Sequence, residues 1–124
     1  MKLFNQILLA SALTLASFAS AGSANAHAHL LSAVPAENAM AMPSPTELKL
    51  NFSEELNLKF SSVEVIGPDM KKVDVASEAL DPKDAKILIV TLKAPLAAGK
   101  FTVNWKAFSE DGHKTNGSYT IDTK

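Results

Sequence analysis

From Glu47 onward the hydrophobic positions recur at every second residue. Leu48, Leu50 and Phe52 alternate with Glu47, Lys49 and Asn51; Val63 and Val65 with Ser62 and Glu64; Phe101, Val103 and Trp105 with Thr102, Asn104 and Lys106. A period of two predicts strands that put one face into a core and leave the other wet. The run Ile87–Leu92 is apolar on both faces and rich in β-branched residues, which predicts a central strand covered on both sides. Shorter runs at His29–Val34, Met70–Val75 and Gly117–Thr123 bring the expected total to about seven strands. Turn signals separate them at Pro43-Ser44-Pro45, Gly67-Pro68-Asp69, Asp81-Pro82, Ala98-Gly99, Asp111-Gly112 and Asn116-Gly117. No long helical period, internal repeat or low-complexity tract interrupts the pattern. The class expected is all-β, an antiparallel Greek-key β-sandwich.

The first residues follow a different rule. Lys2 supplies a positive start, Ile7–Phe18 is apolar and uncharged, and Ala24-Asn25-Ala26 offers the small residues that signal peptidase reads. Residues 1–26 therefore read as a secretory signal peptide and 27–124 as one mature domain. The apolar core is roughly a dozen residues, short of the about 20 that span a bilayer, so no stable membrane insertion is expected after cleavage. Ala19-Ser20-Ala21 and Ala26-His27-Ala28 are competing cleavage points; the first leaves a short tail before His27 and the second exposes His29. Cleavage after Ala26 makes His27 the first residue, with a free α-amine and an imidazole.

Composition narrows the function. A mature chain of this length fits a single core and leaves no room for two lobes around a cleft, and it is expected to be a monomer. All the basic residues are lysines, and they balance the acidic residues to a net charge of −1. No clustered basic face marks a nucleic-acid footprint. The absence of cysteine excludes thiolate metal sites and cysteine nucleophiles. No Ser-His-Asp set, phosphate-cradling glycine loop or paired catalytic carboxylates stand out.

The chemistry lies with three histidines, His27, His29 and His113. The segment WKAFSEDGHKTNGSYT predicts a strand to Phe108, an acidic turn, and a return strand carrying Tyr119 and Ile121. On an extended strand Asp111 and His113 would project to the same side, roughly 6 to 7 Å apart at the backbone, so a carboxylate and an imidazole can converge on one ion. The plainer alternative is a turn made by Asp111-Gly112 with a solvated His113 beside it.

These residues resemble a known family. His27-x-x-Leu30-Leu31-Ser32, Pro35-Ala36-Glu37, Leu50-Asn51-Phe52-Ser53-Glu54 and Trp105-Lys106-Ala107-Phe108-Ser109-x-Asp111-x-His113, with Gly117, are similar in order and over the mature chain to the bacterial periplasmic copper-resistance protein C (CopC) family. The YobA-like members are nearest, with a His-Ala-His-Leu start and Asp-Gly-His-Lys-Thr near the end. The resemblance implies a seven-stranded immunoglobulin-like or cupredoxin-like sandwich and a periplasmic role in copper resistance. It also implies copper(II) held by His27, Asp111 and His113, and an inner-membrane copper transporter of the CopD type as partner. Glu54 would approach the metal or orient His27, against a plain role as a solvated strand-end charge. The chemistry agrees: the α-amine and Nδ1 of His27 can close a six-membered chelate, His113 adds a nitrogen and Asp111 an oxygen, and Cu(II) heads the divalent affinity order for nitrogen-rich tetragonal sites, with zinc as the rival.

His29 opens another mode. A free amine with a histidine two residues later can wrap Cu(II) or Ni(II) using the amine, two deprotonated amides and the imidazole. An ordered strand start opposes this, because ordered backbone N–H groups are seldom free, which makes His29 an outer-shell or second-site residue. One feature departs from the family: where some members carry a methionine-rich Cu(I) loop, IGPDMKKVDV has only Met70, and Met40 and Met42 lack a third soft ligand. The other function classes are a histidine-brace oxidative, monooxygenase-like enzyme, which would want an exposed aromatic platform, and a structural sandwich with only the N-terminal three-residue site.

Overall fold

The computed structural model describes residues 28–41 and 43–124. The leader, His27 and Met42 lie outside the described residues, so the cleavage readings and the His27 ligand are left to functional tests. Eight strands form among the described residues: β1 (Leu30–Val34), β2 (Met40–Ala41), β3 (Glu47–Phe52), β4 (Ser62–Ile66), β5 (Val75–Asp81), β6 (Asp84–Leu92), β7 (Gly99–Phe108) and β8 (Lys114–Thr123), with a 3-10 turn at Leu58–Phe60. They make two four-stranded sheets in the orders β1-β3-β6-β5 and β2-β8-β7-β4. Every pairing is antiparallel except the two-residue β2 against β8. The fold is the expected all-β Greek-key sandwich.

The period of two explains the layering. Leu48, Leu50 and Phe52 from one sheet and Val65, Val103 and Ile121 from the other are within a few per cent of full burial. Each such aliphatic or aromatic side chain contributes about 1.5–3 kcal/mol relative to exposure. Phe52 and Trp105 meet edge to face with ring centroids 5.1 Å apart and planes at 73°, which ties the sheets together at their centre.

Four expectations change. The strand count is eight, because β2 adds a short edge. The strand placed at Met70–Val75 is mostly a turn: Met70 takes φ 68°, the Gly67 amide donates to the Lys71 carbonyl at 2.9 Å, and the true strand starts at Val75. The Ile87–Leu92 strand is central, between β3 and β5, but Leu88, Val90 and Leu92 are buried while Ile87, Ile89 and Thr91 are only half-buried. Asn116-Gly117 is not a turn; Gly117 lies inside β8 opposite Trp105.

Candidate metal centre

The long β7–β8 hairpin presents the Asp-Gly-His segment at one end of the sandwich. Its loop is Glu110-Asp111-Gly112: the Gly112 amide donates to the Ser109 carbonyl at 2.9 Å, and the Ser109 amide donates to the His113 carbonyl at 2.9 Å. Three-residue hairpin loops need a left-handed third position. Gly112 fills it with φ 94°. A second segment braces the loop from outside, where the Glu110 amide donates to the Glu55 carbonyl at 3.0 Å and the Asn57 amide to the Phe108 carbonyl at 2.8 Å.

Within this frame Asp111 and His113 meet. The Asp111 Oδ1 lies 3.1 Å from His113 Nδ1, and both side chains are about half-exposed, at 45% and 47%. The proximity comes from the turn folding back on itself; the same-side projection expected of an extended strand does not occur, since β8 starts only at Lys114. Ser109, 1% exposed, organises the pair: its hydroxyl donates to Asp111 Oδ1, and its oxygen accepts from the His113 amide at 3.3 Å. The Ser109 hydroxyl first, and then His113, hold the Asp111 carboxyl below its ordinary value. An ionised carboxylate can only accept. Nδ1 donates to that carboxylate whenever it carries the ring proton, which sets the two donors face to face.

The first described residues are fixed beside the same turn. Ala28 is fully buried and its carbonyl accepts from the Thr115 hydroxyl at 2.7 Å. Thr115 is two residues beyond His113. The His29 amide donates to Ser53 Oγ at 2.9 Å, and the Ser53 amide donates back to the His29 carbonyl at 2.9 Å. Glu54, next to Ser53, shares a shallow acidic depression with Glu55, Lys86, Ser109, Glu110 and Asp111. His29, Glu54, Asp111 and His113 are thus gathered at one end, with His29 exposed at its rim. Among the described residues no three histidine, aspartate or glutamate side chains are grouped to hold a metal. Asp111 and His113 form a pair of donors, and Glu54 does not complete it.

Sequence reading assigned no role to Ser53, Ser109 and Thr115. For Ser109 the signal was its place two residues before Asp111. Met40 and Met70, 54% and 81% exposed, belong to the other end of the sandwich, where β2 meets the last residues of β8 and the chain leaves β4. The single tryptophan and single tyrosine, Trp105 and Tyr119, are buried, so neither forms an exposed platform beside the turn. Among the described residues no helix is long and apolar enough to cross a membrane.

Comparison with known proteins bears on the chain's family and fold. The family model described as the CopC domain matches residues 30–124. Protein YobA of Escherichia coli K12 is 40% identical over 99 residues, covering 80% of each chain. Copper resistance protein C of Escherichia coli is 34% identical over 130 residues, covering both chains completely. The crystal structure of PcoC, a methionine-rich copper resistance protein from Escherichia coli, superposes with a TM-score of 0.70 at 34% identity, over 80% of this chain and 100% of that one.

Proposed function

The chain belongs to the CopC family, and from that premise we propose that it is a periplasmic Cu(II)-binding protein of copper resistance and homeostasis. It sequesters copper or carries it to a partner, an inner-membrane transporter of the CopD type, and acts as a binding protein and not as an enzyme. The observation that carries this reading is the Asp111–His113 pair, preset in a braced turn next to the point where the domain begins.

Two donors do not make a tight copper site, and the chain's own start supplies the rest. After removal of residues 1–26, His27 offers an α-amine and an imidazole one residue before the anchored Ala28. The ligand set proposed is His27, Asp111 and His113, a histidine brace closed by the hairpin, with Glu54 and His29 outside it. Nitrogen donors of this kind favour Cu(II) over the other common divalent ions. The α-amine must lose a proton to bind, with an ordinary value near 7.7 to 8.0, so affinity falls as pH drops. Trp105 and Tyr119 are buried, so neither offers the oxidative-enzyme alternative the exposed Trp or Tyr it would want.

The test is a copper titration of the mature protein, with its first residue fixed by intact mass. One Cu(II) per chain is expected. His113→Ala should weaken binding by about tenfold or more, about 1.4 kcal/mol. A methionine left ahead of His27 should remove most of the affinity while the fold persists. Unchanged affinity in His113→Ala would take the turn out of the site, and tight binding by the extended protein would rule out the α-amine.

A further inference from the structure

Resting on that reading, we propose that Ser53 and Thr115 are specificity-determining residues: by clamping the backbone of residues 28 and 29 they direct copper to the hairpin turn and shut out the four-nitrogen mode of the N-terminal tripeptide. Three backbone groups are involved. The Ala28 carbonyl is bonded to Thr115 Oγ1 at 2.7 Å, the His29 amide to Ser53 Oγ at 2.9 Å, and the His29 carbonyl to the Ser53 amide at 2.9 Å. The anchors come from different sheets, Ser53 from the end of β3 and Thr115 from β8. The Ala28 side chain is fully buried.

The four-nitrogen mode needs one of those groups, the His29 amide, and a coiled backbone that the other two bonds oppose. A metal wrapped by the tripeptide takes the amide nitrogens of the second and third residues as ligands, each without its hydrogen, and coils them into a plane with the third residue's imidazole. In this fold the His29 amide hydrogen is committed to Ser53 Oγ. Coiling also draws Ala28 out of the core and breaks the Thr115 bond, leaving buried polar groups to find new partners. The clamp therefore opposes the four-nitrogen mode through bonds that end on the backbone of residues 28 and 29. Both modes use the same amine, so the contest is decided by what holds residues 28 and 29.

The experiment compares Cu(II) electron paramagnetic resonance spectra, at one pH, of the mature protein, the Ser53→Ala/Thr115→Val variant, and the peptide HAHLLS. Amide hydrogen exchange of the metal-free proteins is measured alongside. In the double variant the His29 amide should exchange faster by about tenfold or more while the Val90 amide in β6 keeps its protection. Its copper spectrum should shift toward the peptide's, and Ser53→Thr with Thr115→Ser should retain the unsubstituted spectrum. A double variant with a fast His29 amide and an unshifted spectrum would overturn the proposal. If Val90 loses protection, Ser53→Ala alone is read by the same criteria. Failure of the underlying metal-centre reading shows separately, as a peptide-like spectrum in the unsubstituted protein.

Discussion

Gly117→Ala adds one methyl group in the middle of β8, a change that in an open strand would be favourable. Its backbone is ordinary there, and replacing glycine by alanine ordinarily recovers about 0.5–1 kcal/mol. Here the methyl would lie 2.6 Å from Trp105 Cζ2 and 2.9 Å from Cε2. The ring cannot swing aside cheaply, because Trp105 is only 8% exposed and packs edge to face with the Phe52 ring, with centroids 5.1 Å apart. Overpacking of a filled core costs about 1–3 kcal/mol, enough to outweigh the backbone gain. The net expectation is a loss of about 1 kcal/mol, which for a domain of this size lowers Tm by roughly 4–8 °C. Thermal unfolding followed by the emission of the single tryptophan reads both the stability and the ring's surroundings. Trp105→Leu in the same background should make the alanine tolerable, so the two substitutions together should cost less than their sum. A Gly117→Ala protein that melts at the unsubstituted temperature with unaltered emission would refute the packing argument.

Two further predictions concern polar groups shielded from water, one buried and one half-buried. Tyr119 is 4% exposed and its hydroxyl has no hydrogen-bond partner among the described residues; burial, and then the charge of Glu37, push its phenol above the ordinary value. Tyr119→Phe should therefore stabilise the fold by about 1 kcal/mol in urea unfolding, and a loss of similar size would reveal a partner for the hydroxyl. Glu78 accepts from the Val63 amide at 3.2 Å, yet desolvation, larger than that bond's effect, raises its carboxyl above the ordinary value. An acid with a raised folded value binds more protons folded than unfolded, so stability falls as pH rises from the ordinary carboxylate value through the folded one. Glu78→Gln keeps an acceptor and removes the titration; urea midpoints from pH 4 to pH 7 should lose that downward component, and an unaltered pH profile would count against the assignment.

Strands with strict alternation were legible because burial follows the same period: Leu48, Leu50 and Phe52 in β3 and Phe101, Val103, Trp105 and Ala107 in β7 are all buried. β5 was not legible. Its sequence VASEALD is poor in β-branched residues, it lies at a sheet edge, and register shifts at Val75/Ser77 and Leu80/Asp81 break the alternation. Asn116-Gly117 misled because glycine has two uses; here it makes room for the Trp105 ring and turns nothing. Of the site, spacing pointed to Asp111 and His113 together. It could not show how they meet, because the fold-back depends on the buried Ser109 hydroxyl and the left-handed Gly112. Nor could it show the clamp on Ala28 and His29, whose anchors are 24 and 87 residues away along the chain.

The outer rim of β4 is where another chain could add a strand to this sheet. That rim is already taken by the protein itself: the Glu78 carboxylate reaches across from the opposite sheet to the Val63 amide, the Val73 amide occupies the Val65 carbonyl at 2.8 Å, and the Lys71 carbonyl occupies the Gly67 amide at 2.9 Å. Exposed sheet edges are templates for aggregation, and proteins blunt them with inward-pointing charges and covering loops. A charge that weakens the fold as it ionises thus also helps keep neighbouring copies apart in a crowded compartment.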